Sequence, residues 1–228
     1  MAKIVAIVSG GLDSVTMAYH LAAQRNDLIM VSVNYGQRNV QEIKYAETAA
    51  KRLGSKHLIA DLSTVGAMLK GSSLTDPDVD VPEQTWTGYG ESPNIVPNRN
   101  AVLLSVAFAV AVAEYAQAVA IGVTGDDPQS VPDSTPEFLA SFITMERIAT
   151  AGYAHPELDL ITPLSGMSKA GVVSLGETLD VPWRETWTCL RGGPAHCARC
   201  AACWERQEAF AQASVPDPTV YLVPAQSR

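Results

Sequence analysis

The sequence predicts an α/β fold: a doubly wound, mostly parallel sheet of five strands, followed by a C-terminal helical segment rich in cysteine. Three observations carry this. Short apolar runs with β-branched residues alternate with helical stretches, the pattern of strand–helix–strand units and a parallel sheet. The first run, residues 4–8, is apolar without interruption, as a strand buried on both faces must be. All four cysteines fall between Cys189 and Cys203.

The elements follow in order. A Gly-rich turn after the first run opens a helix that extends to about residue 23. Residues 28–33 form the second strand. Over residues 41–53, Ile43, Ala46, Ala50 and Leu53 recur on one helical face, and Gly54 stands where a helix C-cap belongs. Residues 57–60 make a short third strand. Residues 98–115 are helical, with Asn98 or Asn100 as the cap, and residues 118–123 are the fourth strand. Pro136 opens a helix to residue 151, and residues 159–162 are the fifth strand. Helices over residues 168–179 and about 201–213 complete the order.

One stretch breaks the alternation. Residues 71–97 hold four Pro, three Gly and five acidic residues, with no Lys or Arg. This reads as a long surface insertion of the kind that serves as a lid. Residues 1–228 are otherwise one domain, within the size a single core supports.

Composition excludes several classes. A net charge of −8 disfavours a broad nucleic-acid footprint, which needs clustered Lys and Arg. No uninterrupted apolar stretch reaches the roughly 18 residues of a membrane span. Residues 101–123 come nearest, but Glu114 and Gln117 interrupt them. The Met-Ala-Lys start lacks the features of a signal peptide, so a cytoplasmic location is expected.

Right-handed crossovers place the loops after the strands along one edge, where ligands of such sheets bind. The first of these loops is Ser9-Gly10-Gly11-Leu12-Asp13-Ser14. Its glycines let the backbone come close to a ligand, and the N–H groups and dipole at the helix start favour an anion. Asp13 beside a phosphate site calls for a hard cation such as Mg²⁺. There is neither a Gly-Lys-Ser/Thr P-loop nor a Gly-x-Gly-x-x-Gly fingerprint.

The second loop, Asn34-Tyr35-Gly36-Gln37-Arg38, offers Tyr35 either as a stacking face for adenine or as a packed side chain. Arg99 and Lys169 each stand at a helix start, where a cation is unfavourable unless it meets an anion. Asp127 and Asp133 lie in the loop after the fourth strand, facing the same crevice. His20, on an apolar helix, reads as a packed residue, and Trp183 and Trp187 as core.

Cys189-x7-Cys197-x2-Cys200-x2-Cys203 presents four thiolates on short spacings. Four sulfurs suit tetrahedral Zn²⁺ and also Fe–S clusters. Arg191 and Arg199 are placed to offset their charge, and His196 lies inside the cluster as a solvated or supporting residue.

The six-residue turn resembles the pyrophosphate loop of the N-type ATP pyrophosphatase superfamily, whose members cleave ATP between the α and β phosphates and adenylate an acceptor. Asn-Tyr-Gly-Gln-Arg at residues 34–38, Pro-Asn-Arg-Asn at 97–100, Pro132-Asp133 before Pro136-Glu137-Phe138, and the cysteine cluster are together similar to the 7-cyano-7-deazaguanine synthase (QueC) family, from about residue 4 to residue 210. The resemblance implies a carbon–nitrogen ligase that turns 7-carboxy-7-deazaguanine, ammonia and ATP into the nitrile, through adenylated acid and amide. It implies ATP contacts from Val8, Ser9, Gly10, Gly11, Leu12, Asp13, Ser14, Val15, Thr16, Tyr35 and Gln37. Asp13, Arg99, Lys169 and Asp133 fall to the chemistry, with Mg²⁺ accompanying ATP. A structural zinc on the four cysteines and a homodimer follow from the same resemblance. A zinc site that uses every cysteine leaves no thiol for tRNA thiolation.

Three departures stand out. Asn98 and Asn39 replace the family's usual Gly and His, and residues 131–135 lack its Arg, with Thr135 in that place. An adenylating relative acting on another carboxyl substrate is therefore the second expectation, and a zinc-stabilised nucleotide-binding module the third.

Overall fold

The computed structural model describes residues 1–83, 92–127 and 131–222. Residues 84–91 of the expected insertion and 128–130 of the loop after the fourth strand lie outside the described residues.

Five parallel strands stand in the order β3-β2-β1-β4-β5: β1 Lys3–Ile7, β2 Asp27–Asn34, β3 Lys56–Asp61, β4 Ala118–Ala120 and β5 Asp159–Ile161. The order reverses at β1, between β2 and β4, so the crevice opens at their carboxyl ends.

The uninterrupted apolar run of β1 is explained by two cores. Ile4, Ala6 and Val8 point to a layer built from α1 (Leu12–Ala23), α2 (Glu42–Leu53), α6 (Lys169–Thr178) and α7 (Ala201–Gln212). Val5 and Ile7 point to the opposite layer, packed by α4 (Arg99–Ala113) and α5 (Pro136–Ala149). Alternate residues of one strand thus fill both faces.

Element ends follow local chemistry. Gly54 closes α2 in the left-handed conformation, φ +63°, as the C-cap position predicts. Thr135 caps α5, accepting from the Phe138 amide, and Ser168 caps α6, accepting from Gly171. The cap of α4 differs from expectation. Asn98 sits at the cap position with φ +58° and makes no side-chain cap bond, and Asn100 points elsewhere. Asp133, far along the chain, caps this helix instead by accepting from the Asn100 amide at 2.8 Å.

Two further departures concern exposure. The insertion is not only a surface feature: Ser72, Ser73, Leu74, Asp76, Val81 and Val96 are buried. Arg38 holds its first part down through the carbonyls of Ser73, Asp76 and Val79, at 3.0, 3.3 and 3.1 Å. His20 is not packed away but half-buried, its ring 2.9 Å from the amide of Gln24. A short α3 (Ser63–Gly66) and two 3₁₀ turns, Pro132–Ser134 and Trp183–Glu185, carry no periodic signal and went unpredicted. No helix among the described residues is long and apolar enough to cross a membrane.

Candidate active site

A cavity of about 420 Å³ opens at the crevice, between the loop after β1, the ends of β2 and β4, and the starts of α4, α6 and α7. Its floor is the predicted phosphate loop.

Gly10 has φ +98°, and a Cβ there would lie 2.1 Å from the Glu42 carbonyl oxygen, so only glycine passes α2 at this point. Gly11 is the N-cap of α1 and brings no side chain to the first helical amides. Ser9 and Ser14 bridge the turn, Oγ to Oγ at 3.1 Å, and Ser14 Oγ accepts from the Ser9 amide at 3.2 Å. The result is a braced turn whose helix-start N–H groups suit an anion.

Of the residues expected at ATP, Val8, Ser9, Gly11, Leu12, Asp13, Ser14 and Tyr35 line the cavity. Gly10 shapes the turn from behind. Val15 and Thr16 are fully buried in the α1 layer, with Thr16 Oγ1 donating to the Leu12 carbonyl. Gln37 is also withdrawn from the cavity wall: it accepts from the Tyr35 amide and donates to the Val33 carbonyl and Glu42. Tyr35 is only 8 % exposed, its ring set in the core that includes Leu74 and Val96. Burial pushes its hydroxyl up to about 12, against the pull of Arg99.

One end of the cavity gathers charge around Lys169. Its Nζ lies 3.4 Å from Asp13 Oδ2, 3.5 Å from Glu205 Oε2 and 4.0 Å from Asp127 Oδ1. Asp13 foremost, then Asp127 and Glu205, hold the ammonium well above its ordinary value despite burial. Burial raises Asp13, opposed by Lys169, and Asp13 Oδ1 is buried without a hydrogen-bond partner among the described residues. Asp127 also closes its own turn, accepting from the amide and hydroxyl of Thr124.

The other end is built on Arg99. Burial opposes its charge, but Tyr35, Asp133 and Glu42 together stabilise the guanidinium. Asp133 divides its roles: Oδ2 caps α4, while Oδ1 is buried without a partner among the described residues. Thr135, in the place of the family's Arg, spends its hydroxyl on the helix cap and on the Pro132 carbonyl.

The four cysteine sulfurs lie within 4.8 Å of one another and all are buried. Cys197 Sγ accepts from the amides of Arg199 and Cys200, at 3.4 and 3.3 Å. Cys200 is the N-cap of α7 and Cys203 lies in its first turn, where the helix dipole favours thiolates. Hydrogen bonds from Cys200 and Cys203 pull the Cys189 thiol far down, and the same bonds push its partners up. A cation at the centre would relieve that conflict.

Arg191 and Arg199 bind the insertion beside the cluster. Both meet Glu83 of the insertion, at 3.7 and 3.1 Å, and Arg191 also donates to the Val81 carbonyl. His196 is buried, not solvated; it stacks on Trp187 at 4.3 Å and accepts from the Thr188 amide. Burial holds it down to about 4, which suits a neutral acceptor. Trp183 is core, as expected, whereas Trp187 reaches both the cysteine cluster and the cavity. The Trp187 amide donates to the Gly10 carbonyl at 2.9 Å, joining the cysteine segment to the phosphate loop.

Sequence reasoning missed Glu42, Asn39 and Glu205 as cavity residues. Asn39 and Glu42 follow the Asn-Tyr-Gly-Gln-Arg loop and could have been sought there. Glu205 has no local signal, since only the packing of α7 on α6 brings it to Lys169.

Comparison with known proteins places this geometry. The 7-cyano-7-deazaguanine synthase of Agrobacterium fabrum is 46 % identical over 97 % of this chain and 93 % of its own length. Among solved structures, the U34-tRNA thiolase NcsA of Methanococcus maripaludis, with its [4Fe-4S] cluster, superposes with a TM-score of 0.50 at 19 % identity, over 92 % of this chain. This chain covers 65 % of the thiolase's length. The NMN synthetase of Francisella tularensis gives 0.50 at 15 %, over 94 % of this chain and 78 % of the synthetase. These two likenesses speak for the fold alone. The family model described as queuosine biosynthesis protein QueC matches residues 3–214, and the chain belongs to that family.

Proposed function

We propose that this chain is a 7-cyano-7-deazaguanine synthase: an ATP-dependent carbon–nitrogen ligase converting 7-carboxy-7-deazaguanine and ammonia to the nitrile. The observation that carries the reading is one cavity joining the phosphate loop to Arg99 and Lys169, in a chain 46 % identical to a synthase of that name.

The phosphate loop takes the ATP phosphates on its helix-start amides and serine hydroxyls. The substrate carboxylate oxygen attacks the α-phosphorus, pyrophosphate leaves, and an acyl adenylate forms. Lys169 and Arg99, held charged by their carboxylate neighbours, stabilise the negative charge that develops on the phosphoryl oxygens. Ammonia attacks the acyl carbon, AMP departs and a proton is lost, leaving the amide. In a second round the amide oxygen attacks the α-phosphorus of another ATP, and pyrophosphate leaves. Loss of AMP and protons from nitrogen then leaves the C≡N bond. Leu74, Ile95 and Val96 of the insertion, which line the cavity, help to exclude water from these adenylates.

Asp13, whose Oδ1 is buried without a partner among the described residues, is fitted to hold Mg²⁺ with ATP, which when bound offsets the phosphate charge. The four buried thiols fit one zinc per chain. A closed set of four sulfurs makes that role structural. A homodimer and a cytoplasmic location complete the reading, with no nucleic acid or membrane as partner.

Incubation of the zinc-loaded protein with 7-carboxy-7-deazaguanine, ammonia and MgATP is the test. The expected products are the nitrile, AMP and pyrophosphate, with the amide appearing first. Absence of nitrile from folded, metal-loaded protein overturns the reading.

A further inference from the structure

The cavity carries a block of acceptors that the chemistry above does not use. Asn39 is 5 % exposed, and its Nδ2 donates to Glu42 Oε2 at 2.8 Å. That bond fixes the amide's orientation, because its oxygen cannot face a carboxylate. Asn39 Oδ1 is left buried in the wall without a partner among the described residues. Glu42 is 9 % exposed and lines the same wall, and its Oε1 accepts from Gln37 Nε2 at 3.2 Å. Gln37 is itself pinned to the Tyr35 amide and the Val33 carbonyl, at 2.9 and 3.2 Å. Three side chains are therefore locked together, with the unpartnered Asn39 oxygen beside the oxygens of Glu42.

A buried acceptor without a donor is a standing cost that a ligand donor removes. Adenine offers one amine flanked by ring acceptors, a poor match to two neighbouring acceptors. An aminopyrimidinone offers a ring N–H and an exocyclic amine side by side, which is the matching pattern. Resting on the function proposed above, we infer that Asn39 and Glu42 read this donor edge of the substrate ring and set its specificity. The substrate carboxylate, repelled by the same oxygens, then points away from them, toward Arg99 and the phosphate loop. Sites built to bond a donor reject analogues that lack it, because their own polar groups are left unpaired.

Calorimetric titration of the full-length, metal-loaded protein tests this. The ligands are 7-carboxy-7-deazaguanine, its analogue without the exocyclic amine, and a non-hydrolysable ATP analogue, each with wild type and Asn39→Ala. The expected result is at least tenfold weaker binding of the des-amino analogue to wild type. Asn39→Ala should weaken the parent acid at least tenfold, narrow its advantage over the analogue, and leave the ATP analogue within twofold. Equal binding of acid and analogue by wild type overturns the inference, and that comparison needs no variant to fold. Asn39→Ala weakening the ATP analogue as much as the acid also overturns it, by making the block a nucleotide reader. Discriminating binding without nitrile formation sinks the activity and keeps this inference. Nitrile formation without discrimination does the reverse, and wild type that binds no acid overturns both.

Discussion

Lys169 Nζ and Asp13 Oδ2 stand 3.4 Å apart, although they come from helices separated by most of the chain. The packing of α6 against α1 brings the start of one helix to the start of the other. Two helix N-termini and one cation therefore face the same point, which suits a polyphosphate, while the three carboxylates around Lys169 call for a divalent cation beside it.

Lys169→Met removes the cation shared by Asp13, Asp127 and Glu205. With the fold retained, kcat should drop by roughly 10²–10³, the scale seen when a preorganised electrostatic group is deleted. Pyrophosphate release at saturating ATP is the measurement. A kcat within fivefold of wild type would place Lys169 outside the chemistry.

Gly10→Ala puts a methyl group against the Glu42 carbonyl at a φ of +98°. Strain of this kind costs about 1–3 kcal/mol before the clash is counted. The loop should open, nucleotide binding should weaken at least tenfold, and the melting temperature should fall by several degrees. Gly54→Ala, with nothing within 4 Å of its added Cβ, is the control that should leave nucleotide binding intact.

Glu42 gives a pH dependence. Burial, opposed by Gln37 and Arg99, pushes its carboxyl from 4.5 to about 7. The folded state therefore holds this proton up to about pH 7, above which Glu42 is the carboxylate that accepts from Gln37 and Asn39. Its contribution is full below pH 4.5 and is lost as the pH rises through 7. Between pH 4.5 and 8, wild type should lose on the order of 3 kcal/mol relative to Glu42→Gln. Urea midpoints of the two proteins across that range would show it, and a constant difference would contradict it.

Metal removal should reach the nucleotide. The cysteine segment touches the phosphate loop through Trp187 and Gly10, and the insertion through Arg191, Arg199 and Glu83. Chelation, or Cys203→Ser, should lower the melting temperature by about 10 °C or more and raise the KM for ATP. Unchanged KM in protein shown to lack metal would mean that the two sites are independent.

The backbone of this picture was legible in the sequence because strands buried on both faces and helices with one apolar face announce themselves. Residues 4–8, Gly54 and the cysteine spacing each sent a local signal, and the corresponding elements stand within a residue or two of expectation. What escaped depends on contacts between distant segments. Asp133 looked like a free carboxylate, yet α4 takes it as a cap. Gln37 sits in a loop beside the cavity, but satisfying buried backbone groups turns it inward. Arg191 and Arg199, flanking cysteines, find a carboxylate in the insertion. Sequence spacing gives which residues share an element and is silent on which elements meet.

The hydrogen bond from Trp187 to Gly10 has a consequence for biosynthesis. The phosphate loop is made well before Trp187, the residue that braces it. Strands β1 to β3 can pair while synthesis continues, since N-terminal parts fold first. The cavity wall that Lys169, Trp187 and Glu205 supply is added only when α6 and α7 dock. Nascent chains halted before residue 187 should thus be inert toward ATP, a built-in safeguard against half-made enzyme spending nucleotide.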